Sequence, residues 1–350
     1  MKIYYYHTRP ILEALEEWKE HKHPGHILYG LTHFERNGIG IVIHKYRAFN
    51  SRVRMMLYNL FTILSCRQSY DVLYGTSYRG LELIIFLRAL GLYRKPIAIW
   101  HHQAVPQNKG FIKRAISSLF YRGLDCMFFF SNELIEKSLL SGKVKSNRLH
   151  LIHWGPDLEF YDYLLKKVSS NKVYDFISTG KENRDFDTLL SAFSNTNLSL
   201  DVFSPYTNGD VAYTNIFSKY KCFDNIHIHI TKGIIPYELG VKVAQSQVVV
   251  IPCLVNDYTV GLTTLVEAMA LSLPIISTDN PTYGIDIKKA NMGLLVAYHD
   301  VMGWKQAADF LHGHTDIALQ MGRNGRLLAE QTFNLENFTR ELSVELKKLI

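Results

Sequence analysis

The sequence is poor in cysteine and has no long uncharged apolar run. Only four cysteines occur among 350 residues, and no two of them are spaced as CxxC. This pattern favours neither a disulfide framework nor a zinc cluster, and it is typical of a reducing cytoplasm. The longest apolar stretch, 81–92, contains Glu82 and Arg88, whereas a transmembrane helix needs ~18 apolar residues. The N-terminus also lacks a signal-peptide pattern, so we expect a cytoplasmic protein.

Internal repeats of solenoid period and low-complexity tracts are absent too, which argues against a solenoid. The composition is that of a globular protein, with 47% hydrophobic and 13% aromatic residues. A chain of 350 residues is too long for one ordinary domain and suits two.

Acidic residues are scarce in the first half of the chain. Residues 1–155 contain 22 basic and 10 acidic residues, whereas residues 156–350 contain 17 basic and 22 acidic residues. The net charge of +7 therefore combines +12 in the first half with −5 in the second. Such asymmetry indicates contact of the first half with something anionic, either a membrane surface or a nucleic acid. The alternative is that the excess charge is solvated without consequence.

Short apolar or β-branched segments alternate with helical patterns along both halves. These segments are 2–7, 39–44, 71–75, 96–101, 125–130 and 149–153, then 173–179, 199–203, 226–230, 247–252, 274–277 and 293–296. The alternation predicts an α/β protein with two Rossmann-like, doubly wound domains that face each other across a cleft. We place the domains at 1–155 and 171–330, with a polar linker at 161–171. A C-terminal helix within 331–350 is expected to pack back toward the first domain.

Residues that directly follow a predicted strand are site candidates, because doubly wound sheets bind ligands beyond the carboxyl ends of their strands. Lys181 and Arg184 follow the strand at 173–179, and such side chains bind phosphate by charge-assisted hydrogen bonds. An ordinary solvated loop is the alternative. Asp185 and Asp187 form a D-x-D pattern that could hold a divalent metal, but acids at a helix start also serve as caps. We expect no metal here.

The segment GLTTLVEAMALSLPIIST, 261–278, carries one glutamate in an otherwise apolar helix. Thr264 and Glu267 fit the S/T-x-x-E capping box, in which both side chains bond N–H groups at the helix start. A second interpretation is an anion site, because a helix N-terminus exposes N–H groups and Gly261 lets a ligand approach the backbone. Glu267 would then accept the hydroxyls of a ribose. The segment alone leaves both interpretations open.

The same segment is part of a resemblance to a known family. NDYTVGLTTLVEAMALSLPIIST, GLLVAYHD and MGRNGRLLAEQTFNLENF resemble the C-terminal domain of GT-B glycosyltransferases, especially the family-4-like group. YDFISTGKENRDFDTLLSAF resembles the first strand, basic loop and helix of that domain, and IPYELGVKVAQSQVVVIP resembles the segment under the nucleotide base. The resemblance is specific over 173–335. It is weaker in the first domain, where PGHILYGLTHFERNGIGIVI, IAIWHHQA and LHLIHWGPDLEFY carry it.

The resemblance implies the GT-B fold and transfer of a hexosyl group from a nucleotide-diphosphate sugar to a hydroxyl acceptor. It assigns the diphosphate to Lys181, Arg184, Gly261, Leu262, Thr263 and Thr264, the ribose to Glu267, the base to Ile234 and Ile235, the donor sugar or acceptor to His101 or His102, and the acceptor-side loop to Gly25 and His26. No cofactor is implied beyond the nucleotide sugar, with UDP favoured over GDP. No metal is implied either, because cations and a helix start can supply the positive charge.

The sequence departs from the family pattern at two positions. Thr259 replaces the first of two glutamates, the one that usually meets the donor sugar, although Asp257 could reach the same place. Ser272 replaces a glycine that suits the left-handed end of a helix. Retaining and inverting transfer both stay open, and an inverting reaction would need a general base. The candidates for that base are His7, His26, His101 and His102.

Two basic segments of the first half, 44–67 and 109–123, mix cations with apolar and aromatic residues. Such helices can lie on an anionic bilayer; the alternative is that their apolar stripes pack on the sheet and their cations are solvated. The bilayer interpretation suits a lipid-linked acceptor in bacterial surface-polysaccharide synthesis, for example of lipopolysaccharide. It also suits a peripheral position on the inner face of the plasma membrane.

Other functions stay open on the sequence. A nucleotide-sugar epimerase or a sugar phosphorylase could use the same scaffold, although no cofactor lysine motif for a phosphorylase is evident. Nucleic-acid binding by the basic half is the non-enzymatic alternative, but no recognition motif supports it and we expect no nucleic-acid partner. The sequence does not predict an oligomeric state.

Overall fold

A computed structural model describes residues 1–169, 171–205, 207–208, 211–231 and 236–350. The chain forms two compact units. Unit 1 comprises 1–19, 25–154 and 335–350, and unit 2 comprises 20–24 and 155–334.

Six parallel strands form the sheet of unit 1, in the order β2-β1-β3-β4-β5-β6. They are β1 (Lys2–Tyr6), β2 (Gly40–Ile43), β3 (Val72–Gly75), β4 (Ile97–Trp100), β5 (Cys126–Phe129) and β6 (Leu149–Leu151). The apolar sequences of these strands, such as IAIW in β4, fit a parallel sheet that is covered on both faces.

The helices of unit 1 connect these strands. They are α1 (Ile11–Lys19), α2 (Arg52–Leu64), α3 (Glu82–Ala89), α4 (Phe111–Arg122) and α5 (Asn132–Leu139), with short 3-10 helices at Gly25–Leu28, Glu35–Asn37 and Ser146–Arg148. α3 packs against both α2 and α4, so these three helices form one layer. Ile63, Ile85 and Tyr121 from this layer share a core with Leu73 and Ile99 of the sheet.

Unit 2 repeats the scheme with the order β11-β8-β7-β12-β13-β14. Its parallel strands are β7 (Tyr174–Thr179), β8 (Leu200–Ser204), β11 (Ile226–Ile230), β12 (Ser246–Ile251), β13 (Ile275–Thr278) and β14 (Gly293–Val296), and β9 (Thr207–Asn208) pairs antiparallel with β10 (Val211–Ala212). The predicted α/β class with two doubly wound parallel sheets is confirmed.

The helices of unit 2 flank its sheet. They are α6 (Leu158–Leu165), α7 (Phe186–Phe193), α8 (Thr214–Tyr220), α9 (Pro236–Ala244), α10 (Leu262–Ala270), α11 (Val301–Gly313) and α12 (Thr315–Gln331), with a 3-10 helix at Pro281–Tyr283. The last helix, α13 (Leu335–Lys347), belongs to unit 1. There Glu341 accepts a hydrogen bond from the backbone N–H of His153 at 3.0 Å, and Lys347 donates to the carbonyl of Asn37 at 2.8 Å.

The linker predicted at 161–171 was wrong at its start. Residues 158–165 form α6, which belongs to unit 2 and buries Phe160, Tyr161 and Leu164. The residues that follow, 166–172, are mostly polar. They made the whole segment look like a linker, although its first part has a short apolar face. In the part of the chain that the structure describes, no helix combines the length and apolar character needed to cross a bilayer.

Candidate functional site

The loop after β7 holds an arginine that points inward. Arg184 is 5% exposed, and its guanidinium lies against the backbone of Gly180. Gly180 has φ +109°, and a Cβ atom there would stand 2.3 Å from Nη2 of Arg184. Only glycine therefore fits, both because of the left-handed backbone and because the guanidinium occupies the space of a side chain.

Hydrogen bonds to neutral groups hold the guanidinium of Arg184. Nη2 donates to Oγ1 of Thr264 at 3.2 Å, Nη1 to the carbonyl of Glu182 at 3.1 Å, and Nε to the carbonyl of Thr179 at 3.3 Å. Among the described residues, no carboxylate lies within 4.0 Å of it in an ion pair. A buried cation without a direct ion pair is costly, which makes this position suited to an anionic ligand.

The rest of this loop is fixed to the loop after β12. The backbone N–H of Arg184 donates to the hydroxyl of Tyr213 at 3.1 Å, and that hydroxyl donates to the carbonyl of Lys181 at 3.0 Å. Asn183, at φ +44°, accepts from the N–H of Leu254 at 2.9 Å. The Lys181 side chain, in contrast, is exposed, so this loop offers one buried cation and one exposed cation.

α10 begins at Leu262 with Gly261 as its N-cap, and no side chain caps it. Gly261 has φ +87°, and a Cβ atom there would stand 2.7 Å from Oη of Tyr283 and 2.9 Å from Sγ of Cys253. The capping-box interpretation was wrong, because Thr264 is the third residue inside the helix and its hydroxyl accepts from Arg184. The first-turn N–H groups, which include those of Leu262 and Thr263, can therefore serve an anion.

Glu267 lies one turn after Thr264 on the same face of α10. The hydroxyl of Tyr161, a buried residue of α6, donates a hydrogen bond to its carboxylate. Burial raises the pKa of Glu267 to about 7, although the Tyr161 hydrogen bond and the charge of Arg184 both act to lower it. The carboxylate is therefore held near the point of protonation at neutral pH, beside Thr264 and Arg184.

The remaining candidates of unit 2 have different environments. Ile234 and Ile235 lie outside the described residues. Thr259 is partly buried and donates to the carbonyl of Thr282 at 3.4 Å, so its hydroxyl serves the local backbone. Asp257 is exposed.

The two acids of the D-x-D pattern, Asp185 and Asp187, have different structural roles. Asp185 caps α7, accepting from the N–H of Thr188 at 3.3 Å, and its other oxygen lies 2.8 Å from Nδ1 of His299. Asp187 points to solvent and pairs with Lys219 at 3.2 Å. Within the described ranges, no group of three or more His, Cys, Asp or Glu residues is arranged for a metal.

The two adjacent histidines after β4 differ in their hydrogen bonds. His101 is fully buried, with Nε2 bonded to the hydroxyl of Tyr121 at 3.1 Å and Nδ1 bonded to the carbonyl of Gln103. Burial lowers its pKa to about 4. His102 is partly exposed, and its Nε2 lies 2.9 Å from the carbonyl of Thr76, to which it must donate.

His7 and Tyr29 lie near His102 at the carboxyl ends of the unit 1 strands. The Tyr29 ring is 5.7 Å from that of His102 and 6.3 Å from that of His7. Nδ1 of His7 accepts from the N–H of Arg9 at 3.0 Å, and burial lowers the pKa of His7 to about 4. His7 is therefore neutral and carries its proton on Nε2.

The acceptor-side candidates Gly25 and His26 are buried in a 3-10 helix of unit 1. The carbonyl of His26 accepts from Nε1 of Trp154 at 3.2 Å, and the two rings meet edge to face. Sequence reasoning missed Tyr29, Tyr161 and Tyr213. No motif marks them, since aromatic residues are common throughout the chain and only packing selects these three.

Solved structures resemble this chain over its whole length, although no protein-family model and no curated protein sequence matches it. The structure of Anabaena HepE in complex with UDP-glucose has a TM-score of 0.70 at 13% identity, covering 99% of this chain and 100% of that chain. Sucrose-phosphate synthase from Thermosynechococcus elongatus has a TM-score of 0.72 at 13% identity, covering 99% and 98%. WaaG, a glycosyltransferase involved in lipopolysaccharide biosynthesis, has a TM-score of 0.62 at 13% identity, covering 98% of both chains. This likeness shows that the chain has the two-domain GT-B fold, which confirms the fold that the sequence resemblance implied.

Proposed function

We propose that the protein is a glycosyltransferase that moves a hexosyl group from a nucleotide-diphosphate sugar to a hydroxyl acceptor. The observation that carries the proposal is the position of the buried Arg184 guanidinium at the start of α10, which no side chain caps. There the guanidinium bonds Thr264, which lies one helical turn before Glu267. HepE, which has this fold, was solved with UDP-glucose, and that complex supports UDP rather than GDP as the nucleotide.

The donor site binds the diphosphate and the ribose through different protein groups. The diphosphate binds Arg184, the exposed Lys181 and the N–H groups that open α10, where hydroxyls of Thr263 and Thr264 add donors. The ribose hydroxyls bind the carboxylate of Glu267. No cofactor takes part, and we place no metal in the site, because these protein groups already supply positive charge to the diphosphate.

Catalysis then depends on positive groups placed where negative charge develops on the leaving diphosphate. As the bond between the sugar and the diphosphate breaks, its electron pair goes to the diphosphate oxygen, and the preorganised cations and helix start stabilise it. A new bond forms between the acceptor oxygen and the sugar carbon, and the acceptor proton must leave. For an inverting reaction we assign this proton to His102, a partly exposed histidine at the carboxyl ends of the unit 1 strands. His101 suits a structural role, because protein groups engage both of its ring nitrogens.

We further propose that the acceptor is a lipid-linked sugar at an anionic membrane surface, in the synthesis of a bacterial surface polysaccharide. Two features support this proposal: the +12 charge of residues 1–155, and the likeness to WaaG, which is involved in lipopolysaccharide biosynthesis. The protein would then work as a peripheral protein on the inner face of the plasma membrane.

A thermal-shift screen with UDP, GDP, CMP, dTDP and their sugars tests the donor site. A nucleotide at 100 times its Kd should stabilise the folded protein by about 2.7 kcal/mol, and we expect the largest shift with UDP. No shift with any diphosphate nucleotide would rule out the transferase. Conversion of a bound nucleotide sugar to its epimer without any acceptor would favour the epimerase instead.

A further inference from the structure

α2 exposes an apolar stripe on the side that faces away from the sheet. Val53, Leu57, Phe61 and Leu64 share one face of the helix by their spacing, and Phe61 is 73% exposed. The same helix buries Ile63 in the core. α2 is therefore apolar on two faces, and packing on the sheet explains only one of them.

α4 and the turns beside it continue this exposed apolar surface. Phe111, which is 88% exposed, begins α4 together with the exposed Ile112 and Ile116. Leu92 follows α3 and Leu140 follows α5, and both are exposed. Because α3 packs between α2 and α4, these side chains lie on the solvent side of one helical layer, which we call the α2–α4 face.

The segment that builds the α2–α4 face is almost devoid of acidic residues. Residues 45–124 hold 13 basic and two acidic residues. One of the acids, Glu82, already pairs with Arg52 at 2.5 Å. Lys113 and Arg114 are exposed directly after Phe111 and Ile112, so positive charge and apolar surface occur together in the first turn of α4.

Arg114 lies close to a further cation, Lys143, in the turn after α5. A Cβ atom at Gly142 would stand 3.9 Å from Nη2 of Arg114, and the next residue, Lys143, donates to the carbonyl of Pro106 and to Oδ1 of Asn108. Burial and the nearby charge of Arg114 both lower the pKa of Lys143. Like charges held together at a surface suit an anion such as a phosphate headgroup.

Other occupants match this surface less well. In a symmetric contact with a second copy, the same patch meets itself. The excess positive charge of 45–124 on one copy would then repel the same charge on the other. A nucleic acid would match the charge but would give Phe61, Phe111 and Ile112 no apolar surroundings. A bilayer supplies anionic phosphates and hydrocarbon in one surface.

We propose that the α2–α4 face docks on an anionic lipid bilayer. The exposed apolar side chains enter the interface, while Lys113, Arg114 and Lys143 bind lipid phosphates. This inference deepens the proposed function, since it names the surface that would bring the enzyme to a lipid-linked acceptor. It rests on that function only for the acceptor, because docking itself requires no nucleotide.

Flotation of the full chain with vesicles tests the proposal. We compare phosphatidylcholine alone with phosphatidylcholine that contains about one-third phosphatidylglycerol, at low and at high ionic strength. Binding should require the anionic lipid and should weaken with salt. The double variant Lys113→Gln/Arg114→Gln should weaken vesicle binding about thirtyfold, and Leu57→Ser/Phe61→Ser should weaken it at least about tenfold.

Unit 2 offers matched controls for both variants. Lys288→Gln/Lys289→Gln removes two adjacent exposed cations, and Leu319→Ser/Leu327→Ser removes two exposed leucines of α12. Both controls should bind vesicles like the unmodified protein. Equal binding by docking and control variants, or binding that ignores anionic lipid, would overturn the proposal.

Melting shifts with UDP, measured on the same proteins, separate this proposal from the proposed function. The docking variants should keep the shift of the unmodified protein, which also shows that they fold. A protein that shifts with UDP but does not float with anionic vesicles overturns the docking face alone. A protein that floats as expected but shifts with no nucleotide supports the docking face and overturns the transferase.

Discussion

The two units present opposite chemistry at the carboxyl ends of their sheets. In unit 2 a permanent cation, Arg184, is buried beside a carboxylate whose pKa is raised to about 7. In unit 1 the corresponding edge carries His7, Tyr29 and His102, and burial keeps His7 neutral by lowering its pKa to about 4. One set of strand ends therefore carries a buried cation and the other carries neutral polar side chains, and we propose that the first serves the diphosphate and the second the acceptor hydroxyl.

Removal of the proposed base should give the largest effect and should act on turnover alone. His102→Gln should reduce kcat by roughly 10²–10⁴-fold and leave UDP affinity unchanged, because the proposed UDP site lies in unit 2. Steady-state kinetics and calorimetric titration with UDP measure the two quantities. His101→Gln is the neighbouring control and should lower the melting temperature more than it lowers kcat. A His102 variant that keeps kcat within about threefold would remove this residue as the base.

Removal of the buried cation Arg184 should, in contrast, act on UDP affinity. Arg184→Met should weaken UDP binding roughly tenfold to a hundredfold, since charged hydrogen bonds are lost. It should lower the melting temperature little, because the guanidinium has no carboxylate partner among the described residues. Titration calorimetry and thermal melting check both expectations.

Arg326→Met is the matched control for that variant. Arg326 pairs with Asp162 at 2.8 Å and with Glu330 at 2.7 Å, and it donates to the carbonyl of Ala270 at 2.8 Å. Its loss should lower the melting temperature and leave UDP binding intact. If the two variants behave alike, Arg184 is structural and the contrast between the two units disappears.

Titration of Glu267 should make both the stability of the protein and its affinity for UDP depend on pH. Its folded pKa, about 7, lies above the ordinary value of 4.5, so the stability that it contributes is present below pH 4.5 and is lost as pH rises through about 7. UDP affinity should change in the opposite direction and rise over the same interval, because the ribose needs the charged form. Glu267→Gln should abolish both trends and weaken UDP binding about tenfold at neutral pH. The exposed Glu238→Gln should keep both trends, and a pH-independent affinity in the unmodified protein would contradict the assignment.

The smallest expected effect concerns the partner of that carboxylate. Tyr161→Phe removes a hydrogen bond that lowers the pKa of Glu267, so the pH profile of UDP binding should move upward. At neutral pH the loss should be about threefold, and it should vanish in alkaline solution where Glu267 is charged in both proteins. Tyr163→Phe, two residues further along α6 and stacked on His21, should leave the profile in place. A loss of affinity that persists at alkaline pH would mean that Tyr161 acts on packing instead.

Local sequence was informative where one short stretch decides the outcome. Strand and helix periods predicted two doubly wound sheets. The position of Lys181 and Arg184 directly after a strand placed them at the carboxyl ends of the strands. The spacing of Thr264 and Glu267 put both on one face of α10. The capping box failed because Gly261, in the left-handed region, starts the helix three residues earlier. The linker failed because a short apolar face precedes a polar run.

The sequence by itself determined the fold class, the basic character of the first half and the strand-end loops that carry charge, since each depends on residues close together in the chain. Only the tertiary structure decided that Arg184 turns inward over Gly180, that Tyr161 bonds Glu267 from a different helix, and that His101 and His102 have different hydrogen bonds. It also decided that α2 and α4 leave apolar side chains in solvent. The physical reason is that burial, hydrogen-bond partners and the resulting pKa values come from groups far apart in the chain that packing alone brings together.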